Sequence, residues 1–125
     1  MFRRHKGFTL IELLVVLAIM ATLSSIVAPR YMASLDRAKE AALKTNLRLM
    51  REAIDKHKAD KHRYPDSLQQ LVSERYLSAV PVDPVTESAG SWVIVHPPSP
   101  AASAVYDVRS GAAGVASTGQ AYAEW

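Results

Sequence analysis

The sequence predicts an α+β fold in which a long N-terminal helix, half apolar and half amphipathic, packs on a small antiparallel sheet. Three observations predict it. Residues 8–28 form an apolar run, an amphipathic pattern with spacings of three and four follows, and two short β-branched runs separated by prolines lie in the last third of the chain. We therefore divide the chain into residues 1–7, residues 8–29 and residues 30–125.

The apolar run has the length of a membrane span. As a helix with a rise of about 1.5 Å per residue, residues 8–28 would extend roughly 31 Å, and a bilayer's hydrocarbon core is about 30 Å thick. A cleaved secretory signal has a shorter apolar region, of about 7 to 15 residues. We therefore favour a membrane-spanning segment, with the basic start M-F-R-R-H-K kept in the cytoplasm.

Glu12 is the only charged side chain between Gly7 and Pro29. A charged residue at the centre of a membrane helix costs about 2.5 to 3.5 kcal/mol on insertion scales. One interpretation is that Glu12 is merely interfacial; the other is that it needs a cation. Cutting the chain between Gly7 and Phe8 would supply one, because a new α-amino group has a pKa of about 7.7 to 8.0. In a helical bundle, that amine could neutralise Glu12 of a neighbouring copy.

The stretch K-G-F-T-L-I-E at residues 6–12, with the apolar run that follows it, resembles the N-terminal signal of type IV pilins and of the pseudopilins of type II secretion. In that family a membrane peptidase cuts after the glycine and methylates the new N-terminal phenylalanine. The resemblance implies that Gly7 and Phe8 flank the cut and that the leader before it is removed. It also implies that Phe8 is N-methylated and that Glu12 serves subunit assembly.

A second stretch, R-Y-P-D-S-L-Q-Q-L-V with the later Y-L-S-A-V-P-V-D-P, covers residues 63–84 and resembles the major-pseudopilin branch of that family. It implies a structural subunit of a periplasmic filament that drives protein export by type II secretion. The implied partners are further copies of the chain, other pseudopilins, the prepilin peptidase and the inner-membrane platform. The implied location is the inner membrane of a Gram-negative bacterium, with residues 30–125 in the periplasm.

Two other interpretations of the chain stay open. The first is a subunit of a surface type IV pilus for adhesion, motility or DNA uptake; the chain has no cysteine, whereas those pilins commonly carry a C-terminal disulfide, and this favours secretion. The second is a membrane-anchored periplasmic binding domain, in which Glu12 would be dispensable. The sequence has neither a nucleophile elbow nor a metal pair, so we do not expect an enzyme.

Charge and metal ligands bear on the possible partners. The formal charge of +3 equals that of the first seven residues, so the remainder is neutral and we expect no nucleic-acid partner. The family resemblance implies a C-terminal loop that binds calcium through aspartates. Residues 108–125 contain no aspartate and only Glu124, whereas calcium takes several oxygen ligands, carboxylates among them. We therefore expect no cofactor, against the family pattern.

The amphipathic stretch after Pro29 continues the helix to about residue 60, and Pro29 should bend or loosen it because proline lacks an N–H. Its apolar stripe consists of Tyr31, Leu35, Ala38, Ala42, Leu43, Leu47, Met50 and Ile54. Near the helix end, His57 and His62 are about 140° apart around the axis and do not share a face for a metal. We expect residues 55–63 to be a solvated helix end.

The second half of the chain predicts short elements. Tyr64-Pro65 ends the long helix, and Asp66 with Gln69 matches the capping box of a second, short helix. Residues 80–84 are a turn-rich connection. Two strands are predicted at residues 91–96 and 103–108, separated by Pro97, Pro98 and Pro100. A last edge strand is predicted at residues 122–125. The aromatic side chains of Trp92, Tyr106 and Trp125 should pack the sheet on the helix.

Overall fold

A computed structural model describes residues 6–98 and 103–125 of the chain. Its elements are helix α1 (Leu10–Lys61), helix α2 (Leu68–Ser73), strand β1 (Val93–Val95), strand β2 (Asp107–Arg109) and a terminal 3₁₀ helix (Tyr122–Glu124). The predicted α+β class, with one long N-terminal helix and a small antiparallel sheet, is confirmed. Internal contacts divide the chain into two units, one ending at Leu35 and the other comprising Asp36–Trp125.

Helix α1 begins and ends within two residues of its predicted bounds. Its hydrogen-bonded pattern continues through Pro29. Proline is tolerated inside apolar helices where neighbouring groups satisfy the freed backbone. The predicted bend at Pro29 and the predicted boundary between residues 29 and 30 remain predictions.

The core of the second unit is built on one face of α1. Leu43, Leu47, Met50 and Ile54 are almost fully buried, as predicted. They pack against side chains from α2, β2 and the connecting loops: Leu68, Leu71, Trp92, Val105 and Val108. In the first half of the stripe, Tyr31, Leu35, Ala38 and Ala42 are exposed. Burial along the described part of α1 begins only at Glu40, because no described segment covers the earlier turns.

The predicted pairing of two antiparallel strands is confirmed, with Ile94 opposite Val108 at the centre of the register. Both strands are shorter than predicted. Pro97 and Pro98 follow β1 and have no N–H to donate to a ladder. The second strand was predicted to start at residue 103 but starts at Asp107. The Val105 amide donates to the Pro65 carbonyl, at 2.7 Å, and not to β1. Pro100 lies outside the described residues.

The end of the chain corrects a further prediction. Residues 122–125 are not an edge strand, since the amides of Glu124 and Trp125 donate to the carbonyls three residues before them. Trp92 and Trp125 contact the core as predicted. Tyr106 does not, because it is 46% exposed and meets only the edge of the Tyr64 ring among the described aromatic side chains.

Helix α2 begins one residue later than predicted. Its N-cap is Ser67, whose hydroxyl accepts the Gln70 amide at 3.1 Å. Gln70 reaches back, and its side-chain oxygen accepts the Asp66 amide at 2.6 Å. The prediction placed the same reciprocal device on Asp66 and Gln69, so the chemistry was right and the register was wrong by one position.

Candidate functional site

The segment before α1 contains the predicted cleavage point. Gly7 and Phe8 lie outside the helix, and Phe8 is 89% exposed. A Cβ added at Gly7 would meet nothing within 4 Å, and Gly7 does not have a positive φ angle. The described fold therefore has no steric need for glycine at this position.

Thr9 and Glu12 form a reciprocal cap at the start of α1. The Thr9 amide donates to Oε2 of Glu12 at 2.9 Å, and the Glu12 amide donates to Oγ1 of Thr9 at 3.2 Å. The Thr9 carbonyl accepts the first helical hydrogen bond, from Leu13. This is the T-x-x-E capping box, which satisfies two of the backbone donors left free at a helix start. The spacing was visible in T-L-I-E, but our interpretation considered only the charge of Glu12.

The cap gives Glu12 a local partner while leaving it able to accept more. Within the described residues only Oε2 is engaged, and a carboxylate has about four acceptor positions on its two oxygens. An exposed carboxylate beside the first helical turn is also favoured by the positive end of the helix dipole. Glu12 can therefore hold its own helix start and accept a cation from another chain.

The apolar half of α1 exposes its side chains over many consecutive turns. The stretch is long and apolar enough to cross a membrane, and none of its most apolar window is buried. The exposed large side chains include Leu13, Leu17, Ile19, Leu23 and Val27. A continuous apolar surface of this size needs lipid or other apolar helices to cover it. This is consistent with an inner-membrane anchor.

A buried carboxylate organises the turn after α2. Asp83 is fully buried, and its Oδ1 accepts the amides of Val85 and Thr86. Its Oδ2 accepts the hydroxyl of Ser110 at 2.6 Å, which joins this turn to the chain just after β2. Residues 80–84 are not helical, as predicted, but the turn itself lies at residues 84–87, where the carboxylate of Asp83 holds it.

A second carboxylate, that of Glu40, holds the last segment of the chain. Its Oε1 accepts the Ser117 amide at 2.7 Å, and its Oε2 accepts the Ser117 hydroxyl, also at 2.7 Å. The Tyr122 hydroxyl donates to Oε1 at 3.3 Å. The bonds from Ser117 hold the pKa of Glu40 below its ordinary value, and burial together with the Glu40 charge raises the pKa of Tyr122.

His57 corrects the prediction of a solvated helix end. It is fully buried, and its Nδ1 donates to the Arg63 carbonyl at 2.9 Å. Its Nε2 lies 2.8 Å from Oε2 of Glu74, as an ion-pair contact rather than a well-aligned hydrogen bond. The Tyr76 ring meets it edge-on. His57 thereby ties the end of α1 to the segment that follows α2.

Sequence reasoning missed Glu40 and His57, although a signal for both was present. Glu40 precedes Leu43 by three residues, and His57 follows Ile54 by three. Both positions continue the buried stripe of α1 at helical spacing. A polar residue within such a stripe is expected to be buried with a specific partner.

Comparison with known proteins agrees with this geometry. Residues 2–28 match the family described as the prokaryotic N-terminal methylation motif. The type II secretion system core protein G of Pseudomonas aeruginosa is 33% identical in an alignment 98 residues long, which covers 66% of this chain and 69% of that protein. The Escherichia coli K12 protein of the same name is 29% identical in an alignment 110 residues long, which covers 75% of this chain and 74% of that protein.

A pilin also matches. The type IV major pilin protein PilA of Myxococcus xanthus is 37% identical over 68 residues, which are 54% of this chain and 31% of that protein. No solved structure gives a significant match.

We call the second unit, Asp36–Trp125, the head. The capped apolar helix start, the long α1 and the small head define a type IV pilin-like subunit with an N-terminal methylation motif. Within that class, the relatives that are matched along most of their length share one name. The chain belongs to the type II secretion system core protein G family.

Proposed function

We propose that this chain is the structural subunit, or pseudopilin, of a periplasmic filament that drives protein export by type II secretion. The observation that carries the proposal is the match to the P. aeruginosa core protein G over 69% of that protein's length. The matched N-terminal methylation motif supports it, because it gives the chain both a processing signal and an assembly helix. The family consists of structural subunits, and we propose no enzymatic activity.

The proposed assembly begins with the leader. The prepilin peptidase breaks the peptide bond between Gly7 and Phe8, and the new Phe8 amine is then methylated and keeps its positive charge. Because Oε1 of Glu12 has no partner among the described residues, it can pair with the Phe8 amine of a neighbouring copy. The pairing offsets part of the cost of placing a carboxylate in the membrane, which is about 2.5 to 3.5 kcal/mol at a helix centre and lower near the helix end where Glu12 lies. The apolar helix halves then bundle as the filament core.

The proposed location is the inner membrane, with α1 crossing once. The basic residues before Gly7 keep that end in the cytoplasm, and residues 30–125 lie in the periplasm. At an inner-membrane platform, this chain and other pseudopilins would be added to the filament at its membrane end. Growth of the filament would then push substrates toward the outer membrane.

A second candidate function is a surface type IV pilus, which the match to the M. xanthus pilin favours. One experiment separates the two in the bacterium that encodes the chain. Deleting the gene should leave exported proteins trapped in the periplasm, and wild-type chain supplied in trans should restore export. Normal export accompanied by loss of surface fibres would contradict the secretion proposal and support the pilus. Normal export with normal fibres would contradict both.

A further inference from the structure

The last segment of the chain, residues 108–125, is where the family resemblance implies bound calcium. Its one carboxylate is Glu124, which is exposed. Among the described residues, no group of three or more histidine, cysteine, aspartate or glutamate side chains is placed to hold a metal ion. Calcium is bound by six to eight oxygen ligands at about 2.3 to 2.6 Å. This segment does not present such a set.

Two nearby carboxylates already accept hydrogen bonds from protein donors. Both oxygens of Asp83 accept hydrogen bonds, from two backbone amides and from Ser110. Oδ1 of Asp107 accepts the Arg51 guanidinium at 2.9 Å. A cation approaching these oxygens would have to displace N–H and O–H groups that the fold itself supplies.

Glu40 is the carboxylate that reaches the segment, and its surroundings are those of a hydrogen-bond acceptor. The Ser117 amide and the Tyr122 hydroxyl share one of its oxygens, and the Ser117 hydroxyl takes the other. An N–H directed at a carboxylate presents a partial positive charge where a metal ion would have to sit. Donors of this kind suit a carboxylate and repel calcium.

The loop itself is shaped to present these donors. The Ala116 amide donates to the Gln120 carbonyl and the Gly119 amide donates back to Ala116, which closes a tight turn around Ser117. Gly119 has a φ angle of 89°, a conformation that side chains other than glycine rarely adopt. Ala116 is buried beside it. The turn therefore holds Ser117 against Glu40 without a ligand.

We infer that the Glu40 carboxylate, set 77 residues earlier on α1, clamps the C-terminal segment through Ser117 and Tyr122 in place of a metal ion. The head of this chain then folds without calcium, unlike the family pattern. The inference is independent of whether the filament serves secretion or a surface pilus.

The test uses the full chain purified in detergent. Melting of the head is followed by circular dichroism, and exchange of the Ser117 amide is followed by hydrogen-exchange mass spectrometry, each with excess EDTA or with excess calcium. We expect wild-type Tm and exchange to be the same under both conditions. A Tm that rises with calcium and falls with EDTA would overturn the inference.

The variant Glu40→Gln is the second part of the test. Glutamine replaces one carboxylate oxygen with an NH₂ group, which cannot accept the hydrogen bonds that Ser117 and Tyr122 donate. We expect Tm to fall by about 5 °C or more, exchange at Ser117 to accelerate at least about tenfold, and calcium to restore neither. Glu52→Gln, an exposed glutamate on the same helix, is the matched control and should behave as wild type. If Glu40→Gln melts and exchanges as wild type, the clamp does not exist.

A milder variant covers the case in which Glu40→Gln does not fold. Ser117→Ala removes the hydroxyl but keeps the amide that donates to Glu40. We expect a smaller fall in Tm, again unaffected by calcium. Wild-type stability in Ser117→Ala, or recovery of its Tm on adding calcium, would contradict the inference.

Discussion

Thr9 and Glu12 cap each other at the start of α1, each accepting the other's backbone amide. Glu12 is therefore not an isolated charge at the edge of an apolar helix. One of its oxygens stabilises the helix that carries it, and within the described residues the other oxygen is open to a second partner. The observed cap and the proposed pairing with a neighbouring copy involve the same side chain, and substitutions can separate them.

The first prediction separates the charge of Glu12 from its cap. Glu12→Gln keeps an oxygen for the Thr9 amide but removes the charge, so it should be inserted and cut normally yet fail to form filaments. Thr9→Val removes the hydroxyl that accepts the Glu12 amide, which is half of the cap, and keeps the charge. It should cost about 0.5 to 2 kcal/mol at the helix start and still assemble. Filaments are counted by electron microscopy, and processing is followed by gel mobility.

The outcome for Glu12→Ala completes this comparison, since alanine removes both roles. It should assemble no better than Glu12→Gln. Abundant, stable filaments from either glutamate variant would contradict the assembly role and favour a membrane-anchored domain that does not polymerise.

The second prediction concerns the cut at Gly7. Gly7 precedes helix α1 and a Cβ there meets nothing within 4 Å, so in Gly7→Val the head should fold as in wild type. The peptidase should nevertheless fail, and the precursor should accumulate in the membrane. Mass spectrometry of assembled wild-type protein should find methylated Phe8 as the first residue. An intact Met1 in assembled filaments would overturn this prediction.

The third prediction is a pH dependence that arises from Glu40. Because its pKa is lowered in the folded state, the stabilisation is fully present above the ordinary glutamate value of about 4.3. This stabilisation is lost as the pH falls below that value and through the lower pKa that Glu40 has in the folded protein. Urea unfolding at a series of pH values should show this loss in wild type, and the loss should be smaller in Glu40→Gln. Identical profiles would contradict the assignment.

The fourth prediction tests the buried face of α1. Leu47 is 2% exposed, whereas Leu49, two residues later, is 47% exposed. Leu47→Ala should lower the free energy of unfolding by about 2 to 5 kcal/mol, because it leaves a cavity in the core. Leu49→Ala should change it by less than about 0.5 kcal/mol. Urea unfolding measures both, and equal effects would contradict the packing described here.

The fifth prediction concerns Gly111, at the start of the C-terminal segment. A Cβ at this position would collide with the backbone carbonyl of Ser91. Gly111→Ala should therefore destabilise the head by at least about 2 kcal/mol, since backbone must move to make room. Gly90→Ala is the control, because a Cβ there meets only the Ser88 hydroxyl at an ordinary 3.7 Å. A Gly111→Ala variant as stable as this control would show that the approach is looser than described.

Local patterns were enough to predict helix α1, its apolar half and a non-helical connection at residues 80–84. They were nearly enough for α2, where the capping chemistry was found one residue out of place. The predicted start of the second strand was wrong because the Val105 amide donates to the Pro65 carbonyl instead of to a neighbouring strand, and Pro65 is 40 residues away in sequence. The prediction of a strand at residues 122–125 was wrong because the amides of a short aromatic run can find acceptors locally in a 3₁₀ turn as well as in a sheet.

The sequence by itself determined the N-terminal half of this protein, because a capping box, a membrane-length apolar run and a processing motif depend on neighbours within a few residues. Only the tertiary structure decided what Glu40 and His57 do. The partners of Glu40 lie 77 and 82 residues later, and nothing in the local pattern relates them. A buried polar group is defined by the donors that the fold brings to it, and those donors come together only when the chain has packed.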